Sequence, residues 1–425
     1  MGGWIITKLL NRGEDPHHIR LLDLNPPTSH HPVVKDSLSK GAKFIKVDIT
    51  DPVALQEAFA VPWPSVSFSS SFESDPGITV FHTAANMRFY ERHLSFLDRS
   101  AKTNAQGTKN VVSAAKFIGA TVLVFTSSGS VGIQNIRFLL WPWEKEPKMF
   151  FQVLNDDDNA GKRAPRKHED FFSNYAVTKM EAETFVRASD KEITGSSTGT
   201  TKTLLRTGCL RPGNGIFGPG GDQQFGAYLL RRNNPSFIYK TVQSFTYVEN
   251  CAVAHLLYEQ RLIELLKPES KYPDIGGQFF YIADPGPPRT YGDGYTVLET
   301  LCEGECHFSS MSPTGMLLFA HAIEFYYRIQ HSWKWLLPKI RGDLVNLQPS
   351  LFALVSVHVV FDDSRARLSP EKGGLGYTGA WTTMEGLHKT CQEHKNGRGR
   401  SSVMRSDLGG VDLNFGFWRK KEKKT

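Results

Sequence analysis

Through the first two-thirds of the chain, short runs of aliphatic and β-branched residues alternate with segments that carry apolar side chains at helical spacing. The runs 19–22 (IRLL), 44–47 (FIKV), 79–81 (TVF), 121–126 (TVLVFT) and 204–210 (LLRTGCL) read as strands, and 5–10, 52–59, 104–117 and 174–186 read as helices between them. Strands joined by helices run parallel and need both faces of their sheet covered. The pattern therefore predicts an α/β fold with a doubly wound parallel sheet of the Rossmann type. After Pro285 the alternation fades, and a smaller C-terminal lobe is expected. Its apolar stretches 316–333 (MLLFAHAIEFYYRIQHSW) and 351–360 (LFALVSVHVV) fall short of the roughly 20 uninterrupted residues of a membrane span. They read as buried helices of that lobe. A second reading, an interfacial helix touching lipid, draws on Tyr326, Tyr327, Trp333 and Trp335 with Lys334, Lys339 and Arg341.

A chain of 425 residues with 40% hydrophobic and 22% charged composition can bury a core, which excludes a disordered regulator and a disulfide-stapled miniprotein. The net charge of +7 suggests a nucleic-acid partner only until it is located. Residues 395–425 hold nine Lys or Arg against three Asp or Glu, so the rest is close to neutral. No nucleic-acid partner is expected, and 395–425 reads as a basic, solvated tail. Cys209, Cys251, Cys302, Cys306 and Cys391 are odd in number and widely spread, as expected for reduced thiols. The grouping of Cys302, Cys306 and His307 matches no zinc spacing, so no metal is expected. No targeting segment is visible, which points to the cytoplasmic side.

Three stretches break the rhythm: 62–76, 133–168 and 189–201. Connections of this length are surface insertions or functional lids. The first and third read as insertions. The second lies between two candidate catalytic segments, which gives Trp141, Trp143, Phe150 and Phe151 an expected role over the substrate.

Tyr175 and Lys179 in NYAVTK share a helical face. An ammonium there can lower the phenol from its unperturbed value of about 10 toward that of a base working near neutrality. The strand VLVFT delivers Ser127 and Ser128 to the carboxyl edge of the sheet, where ligands of such folds bind. One of the two can hold a substrate oxygen beside the tyrosine, and Ser128 is the preferred candidate.

The segments VFTSSGSVG, NYAVTK, LLRTGCLRPGNGIFGPGG and FTYVENCAVAHLL together resemble the extended short-chain dehydrogenase/reductase superfamily, in its 3β-hydroxysteroid dehydrogenase branch. FDDSRARLSPEKGGLGYTGAWTTMEGLHKT resembles that branch's closing segment, so the likeness runs from Gly2 to about His394. It implies Tyr175 as general acid/base, Lys179 as its activator and a ligand of the nicotinamide ribose, and Ser128 as holder of the reacting oxygen. It further implies Asp23 on the adenosine ribose, Asp48 and Ile49 beside the adenine, and Thr83, Ala84 and Ala85 as the strand end that lets the cofactor approach. Asn104 fits the family's following helix, and Pro212 and Asn214 the loop beside the nicotinamide. A carboxylate at Asp23 repels a 2′-phosphate, which favours NAD over NADP.

The family begins with a buried strand and a turn GxxGxxG. Here Gly2 takes the place of the last glycine, so a sheet lacking that first strand is expected, with a gap beside 19–22. The resemblance implies an NAD-binding domain over 1–212, with 244–285 returning to it, and a substrate lobe from 213–243 and 286–394. The expected reaction oxidises a 3β-hydroxyl on a sterol-like or other polycyclic apolar substrate. Alternatives are a nucleotide-sugar epimerase or dehydratase or a ketone reductase of the same superfamily, and an inactive dinucleotide-fold protein or a fragment of a normal enzyme. The branch also implies contact with the endoplasmic reticulum membrane through the C-terminal lobe, and a homodimer.

Overall fold

The chain opens on helix α1 (Gly2–Asn11), then strand β1 (Arg20–Asp23), α2 (Pro32–Ser39), β2 (Lys43–Lys46), α3 (Pro52–Ala60) and β3 (Thr79–His82). This architecture comes from a computed structural model that describes residues 1–27, 32–64, 77–156, 166–195, 203–219, 222–333 and 337–397. A π-helical turn (Lys102–Gly107) leads into α4 (Thr108–Phe117), followed by β4 (Val122–Thr126), β5 (Phe151–Leu154), α5 (Asn174–Ala188) and β6 (Arg206–Pro212). Beyond these come β7 (Val242–Gln243), α6 (Val248–Glu264), β8 (Gln278–Ile282), β9 (Arg289–Thr290), α7 (Tyr291–Leu301), α8 (Pro313–Ser332), α9 (Pro349–Val355), β10 (His358–Phe361) and α10 (Thr383–Lys395). Insertion residues 65–76, residues 196–201 of the linker, Lys334, Trp335 and the tail from 398 onward lie outside the described residues.

The central sheet is parallel, in the order β8-β6-β4-β3. All of β4 and β6 is buried, and consecutive side chains enter different cores, as the period-2 geometry of a strand requires. Leu123, Phe125, Cys209, Phe279 and Tyr281 join Leu55, Val112 and Ala182 from α3, α4 and α5. Val122, Val124, Leu210, Phe280 and Ile282 join Ala254, Tyr258 and Leu262 of α6 on the other face. This is the expected double winding.

Strands β1 and β2 form a separate parallel pair. Among the described residues β1 pairs with β2 alone and β3 with β4 alone, so the gap expected beside 19–22 is present between β1 and β3. A second sheet, β9-β7-β10-β5, is assembled from distant segments. Its strand β10 corrects one expectation. The run 351–360 is not one helix: α9 stops at Val355, and the alternating burial of His358–Phe361 marks a strand parallel to β5. β-Branched Val359 and Val360 favour the extended form there.

Candidate active site

Strand β4 hands the chain to Ser127 and Ser128 at the carboxyl edge of the sheet. Neighbouring residues of an extended segment face opposite ways, and the two hydroxyls separate accordingly. Ser127 is buried and donates to Glu183 Oε2 at 2.5 Å. Ser128 is half-buried, lies 2.7 Å from Ser130 Oγ, and stands close enough to the Tyr175 phenol to favour its ionised form. Gly129 is required next: a Cβ there would stand 2.6 Å from the carbonyl oxygen of Pro212.

Tyr175 sits in the first turn of α5. Ser173 caps that helix by accepting from the Ala176 amide at 3.3 Å. The amide of Asn174 donates to the Glu91 carbonyl, and its side chain donates to the His93 carbonyl and meets His168 at 2.7 Å. The start of α5 is thereby fixed against the loop that follows β3.

Tyr175, Lys179 and Glu183 recur at every fourth position, so all three lie on the buried face of α5. Glu183 forms a bidentate pair with buried Arg211 of β6 (2.8 and 2.9 Å). Burial would raise the Glu183 carboxyl, but Arg211 and Ser127 outweigh it and hold the group below its usual range. Lys179 Nζ donates to the Thr126 carbonyl at 2.6 Å and lies over the Phe125 ring at 4.1 Å. Burial lowers this amine to about 7, against the pull of Cys209 and Glu183.

This geometry departs from one expectation. Tyr175 is raised above its ordinary value by burial, with only the Ser128 hydroxyl opposing. The Lys179 ammonium is turned to the Thr126 carbonyl, away from the work of lowering the phenol. Glu183 and Arg211 had not been assigned, although the spacing of Glu183 after Tyr175 and Lys179 was readable.

Tyr175 is 9% exposed and belongs to an apolar cluster with Phe171, Phe172, Ala176 and Ala353, packed by Phe89, Phe138 and Leu354. The insertion 133–168 thus contributes Phe138 to the surroundings of Tyr175, whereas Trp141 and Trp143 stack on each other at 5.5 Å and are 58% and 75% exposed. Phe151 points outward from edge strand β5 and stacks on His358.

The remaining candidates are divided between the β1–β2 pair and the central sheet. Asp23 ends β1 with an exposed side chain whose Oδ1 accepts from Asn25 N. Asp48 follows β2, is exposed, and accepts from Thr50 N. Ile49 packs against Gly107, where a Cβ would stand 2.8 Å from it. Thr83, Ala84 and Ala85 leave the end of β3, the two alanines exposed. Gly2 opens α1 within van der Waals reach of Thr83. Asn104, on the π turn, grips the main chain of Asn86 at both its amide (2.7 Å) and carbonyl (3.1 Å) and donates to Thr178. Pro212 ends β6, and Asn214 Nδ2 donates to the Leu354 carbonyl at 2.8 Å.

A model of the 3-beta hydroxysteroid dehydrogenase/isomerase family matches residues 1–302. The chain belongs to that family. It is similar to the 3beta-hydroxysteroid-dehydrogenase/decarboxylase isoform 2 of Arabidopsis thaliana, 26% identical over 385 residues. The match covers 88% of this chain and 56% of that protein, so the chain spans little more than half of that relative's length. The decarboxylating sterol-4-alpha-carboxylate 3-dehydrogenase of Saccharomyces cerevisiae is 26% identical, with 87% of this chain and 91% of that protein covered. Among solved structures, a UDP-glucose 4-epimerase from Thermotoga maritima with UDP-glucose aligns at a TM-score of 0.57 and 17% identity, covering 93% of this chain and 96% of that one. At that identity the likeness carries the fold alone.

Proposed function

We propose that the protein is an NAD-dependent dehydrogenase that oxidises the 3β-hydroxyl of a sterol-like substrate to the ketone. The observation that carries this reading is the juxtaposition of the Ser128 hydroxyl with the Tyr175 phenol, set at the carboxyl edge of a parallel sheet, with Lys179 one turn on. The apolar cluster around Tyr175 favours a polycyclic hydrocarbon substrate over a nucleotide sugar, whose diphosphate needs cations there.

The residues present suit NAD at both ends. Asp23 offers an exposed carboxylate to the adenosine ribose, Asp48 and Ile49 flank the adenine, and Ala84 and Ala85 leave room at the end of β3. Gly2 and Gly3 begin α1, where backbone amides without helical partners suit a phosphate. Tyr175 and Lys179 would hold the nicotinamide ribose, and Pro212, at the end of β6, would border the nicotinamide. Asn104 serves this site indirectly, by fixing the strand-end loop at Asn86.

When bound, NAD supplies the acceptor for the hydride of the carbinol carbon. Ser128 holds the substrate oxygen, and Tyr175 takes the hydroxyl proton. In the arrangement described, burial keeps the phenol protonated. It becomes a base when the Lys179 ammonium leaves the Thr126 carbonyl and turns toward it.

The finer location is a peripheral one. Among the described residues no helix is long and apolar enough to cross a membrane. On α8 and just beyond it, Leu318, Phe319, Phe325 and Trp333 are 57, 50, 65 and 56% exposed, a stripe suited to the surface of a lipid bilayer. Tyr327, earlier grouped with these, is buried instead and donates to Glu91 at 2.7 Å.

The test measures NAD affinity by calorimetry, NADH formation with a panel of 3β-hydroxysteroids and, separately, conversion of UDP-sugars to their epimers by chromatography, since epimerisation leaves no net NADH. Tyr175→Phe is expected to lower steroid turnover by about 10² or more. Equal turnover by the wild type and Tyr175→Phe, or turnover of UDP-sugars alone, would overturn the proposal.

A further inference from the structure

Helix α9 has two faces with different partners. Phe352 looks toward the second lobe, stacked on Phe237 at 4.5 Å and packed with Leu317 and Ala320 of α8. Ala353 and Leu354 belong to the cluster that holds Tyr175. The helix is short, so its own hydrogen bonds fix it weakly; side chains from elsewhere hold it. The Leu354 carbonyl accepts from Asn214 Nδ2 at 2.8 Å and from Gln243 Nε2 at 3.3 Å. Gln243 donates also to the Val357 carbonyl, and Ser350 Oγ donates to the Tyr90 carbonyl at 3.2 Å. The ties therefore come from the loop after β6, from β7 and from the loop after β3.

We propose that α9 is the roof of the substrate site, that Ala353 and Leu354 with Phe138 read the apolar face of the substrate, and that Asn214 is the latch of this roof. The inference deepens the dehydrogenase reading and rests on it for the identity of the substrate. It also reads Asn214 as a positioning residue rather than a cofactor ligand, because its Nδ2 donates to the Leu354 carbonyl. Ala353 is 2% exposed within that cluster, so a larger side chain there must take space from the substrate or push the roof away.

Two variants test this on the whole chain. In Asn214→Ala, one of the two hydrogen bonds to the Leu354 carbonyl is lost, and amide hydrogen exchange across 349–357 is expected to speed up by roughly tenfold. NAD affinity by calorimetry is expected to stay within about twofold of the wild type, because no cofactor contact is removed. Weakened NAD binding with unchanged exchange at 349–357 would return Asn214 to the cofactor and overturn the latch. In Ala353→Phe, binding of progesterone, used as a 3-oxosteroid probe in equilibrium dialysis, is expected to weaken by about tenfold or more while NAD affinity holds. Ala353→Leu provides the milder change if the phenylalanine variant does not fold. Unaltered progesterone affinity in the folded variant would overturn the roof as a reader of substrate. A wild type that binds no steroid, yet shows faster exchange in Asn214→Ala, would sink the sterol reading and support the latch.

Discussion

Ser127 and Ser128 are adjacent in sequence and opposite in role. Ser127 Oγ is committed to Glu183 inside the core, whereas Ser128 stays with Tyr175. Ser127→Ala should cost about 1–3 kcal/mol of stability, since it removes a buried hydrogen bond to a charged acceptor. Urea unfolding would read this loss, and steroid turnover should change far less than in Ser128→Ala. Strand alternation alone said that one serine had to face inward. Which one was decided by Arg211 and Glu183, brought together from β6 and α5, and such a pairing is invisible to local pattern. Asp156 gives a prediction of a different kind. Burial raises this carboxyl to about 7, opposed by the Tyr281 amide and the cations Arg365 and Arg211. The folded protein therefore holds a proton that the unfolded chain, titrating near 3.8, has released. Stability contributed by this site is present at low pH and is lost as pH rises toward and through about 7. Asp156→Asn keeps the acceptor for Tyr281 and removes the titration. Its thermal midpoint relative to the wild type should rise between about pH 4.5 and about pH 8, and a pH-independent difference would contradict the assignment.

At the scale of elements, the helix expected over 104–117 exists but begins as a π turn over Lys102–Gly107. The extra residue brings Asn104 against the main chain of Asn86 and sets Gly107 on Ile49. π Turns recur at functional sites because they redirect one side chain without ending the helix. The motif NAQGTKN announced a helix; its winding depended on Asn86 and Ile49, which arrive from separate strand ends. Asn104→Ala should lower stability by about 1–3 kcal/mol and weaken NAD binding through the released loop, whereas Asn104→Ala with wild-type NAD affinity would leave the clamp purely structural. The apolar run 351–360 divided for a legible reason, since SVHVVF alternates and is β-branched while LFAL is not. The stripe on α8 yields its own measurement. Phe325→Glu should reduce co-sedimentation with phosphatidylcholine vesicles without changing the unfolding midpoint, because that side chain is 65% exposed.

Across the whole molecule, the doubly wound sheet was readable because burial on both faces leaves strands such as 122–126 almost wholly apolar. The second sheet was not readable: β7 and β9 are two residues each, β7 meets β10 by pairing Gln243 with Val359, and β10 meets β5 by pairing His358 with Phe151, both across more than 100 positions of chain. The interruption between β1 and β3 divides the proposed cofactor site between two hydrogen-bonded units. Asp23 and Asp48 hang from the β1–β2 pair, whose residues are at most half-buried, whereas Ser128, Tyr175 and Lys179 rest on the fully buried strands β4 and β6. Local opening follows contact density, so amides of 20–23 and 43–46 should exchange well before those of 122–126 and 206–212. A ligand that binds only the native arrangement stabilises what it touches. NAD should therefore slow exchange most in the β1–β2 pair, drawing its rate toward that of the central sheet. Protection confined to β4 and β6, with β1 and β2 unchanged, would mean that Asp23 and Asp48 do not hold the adenosine end.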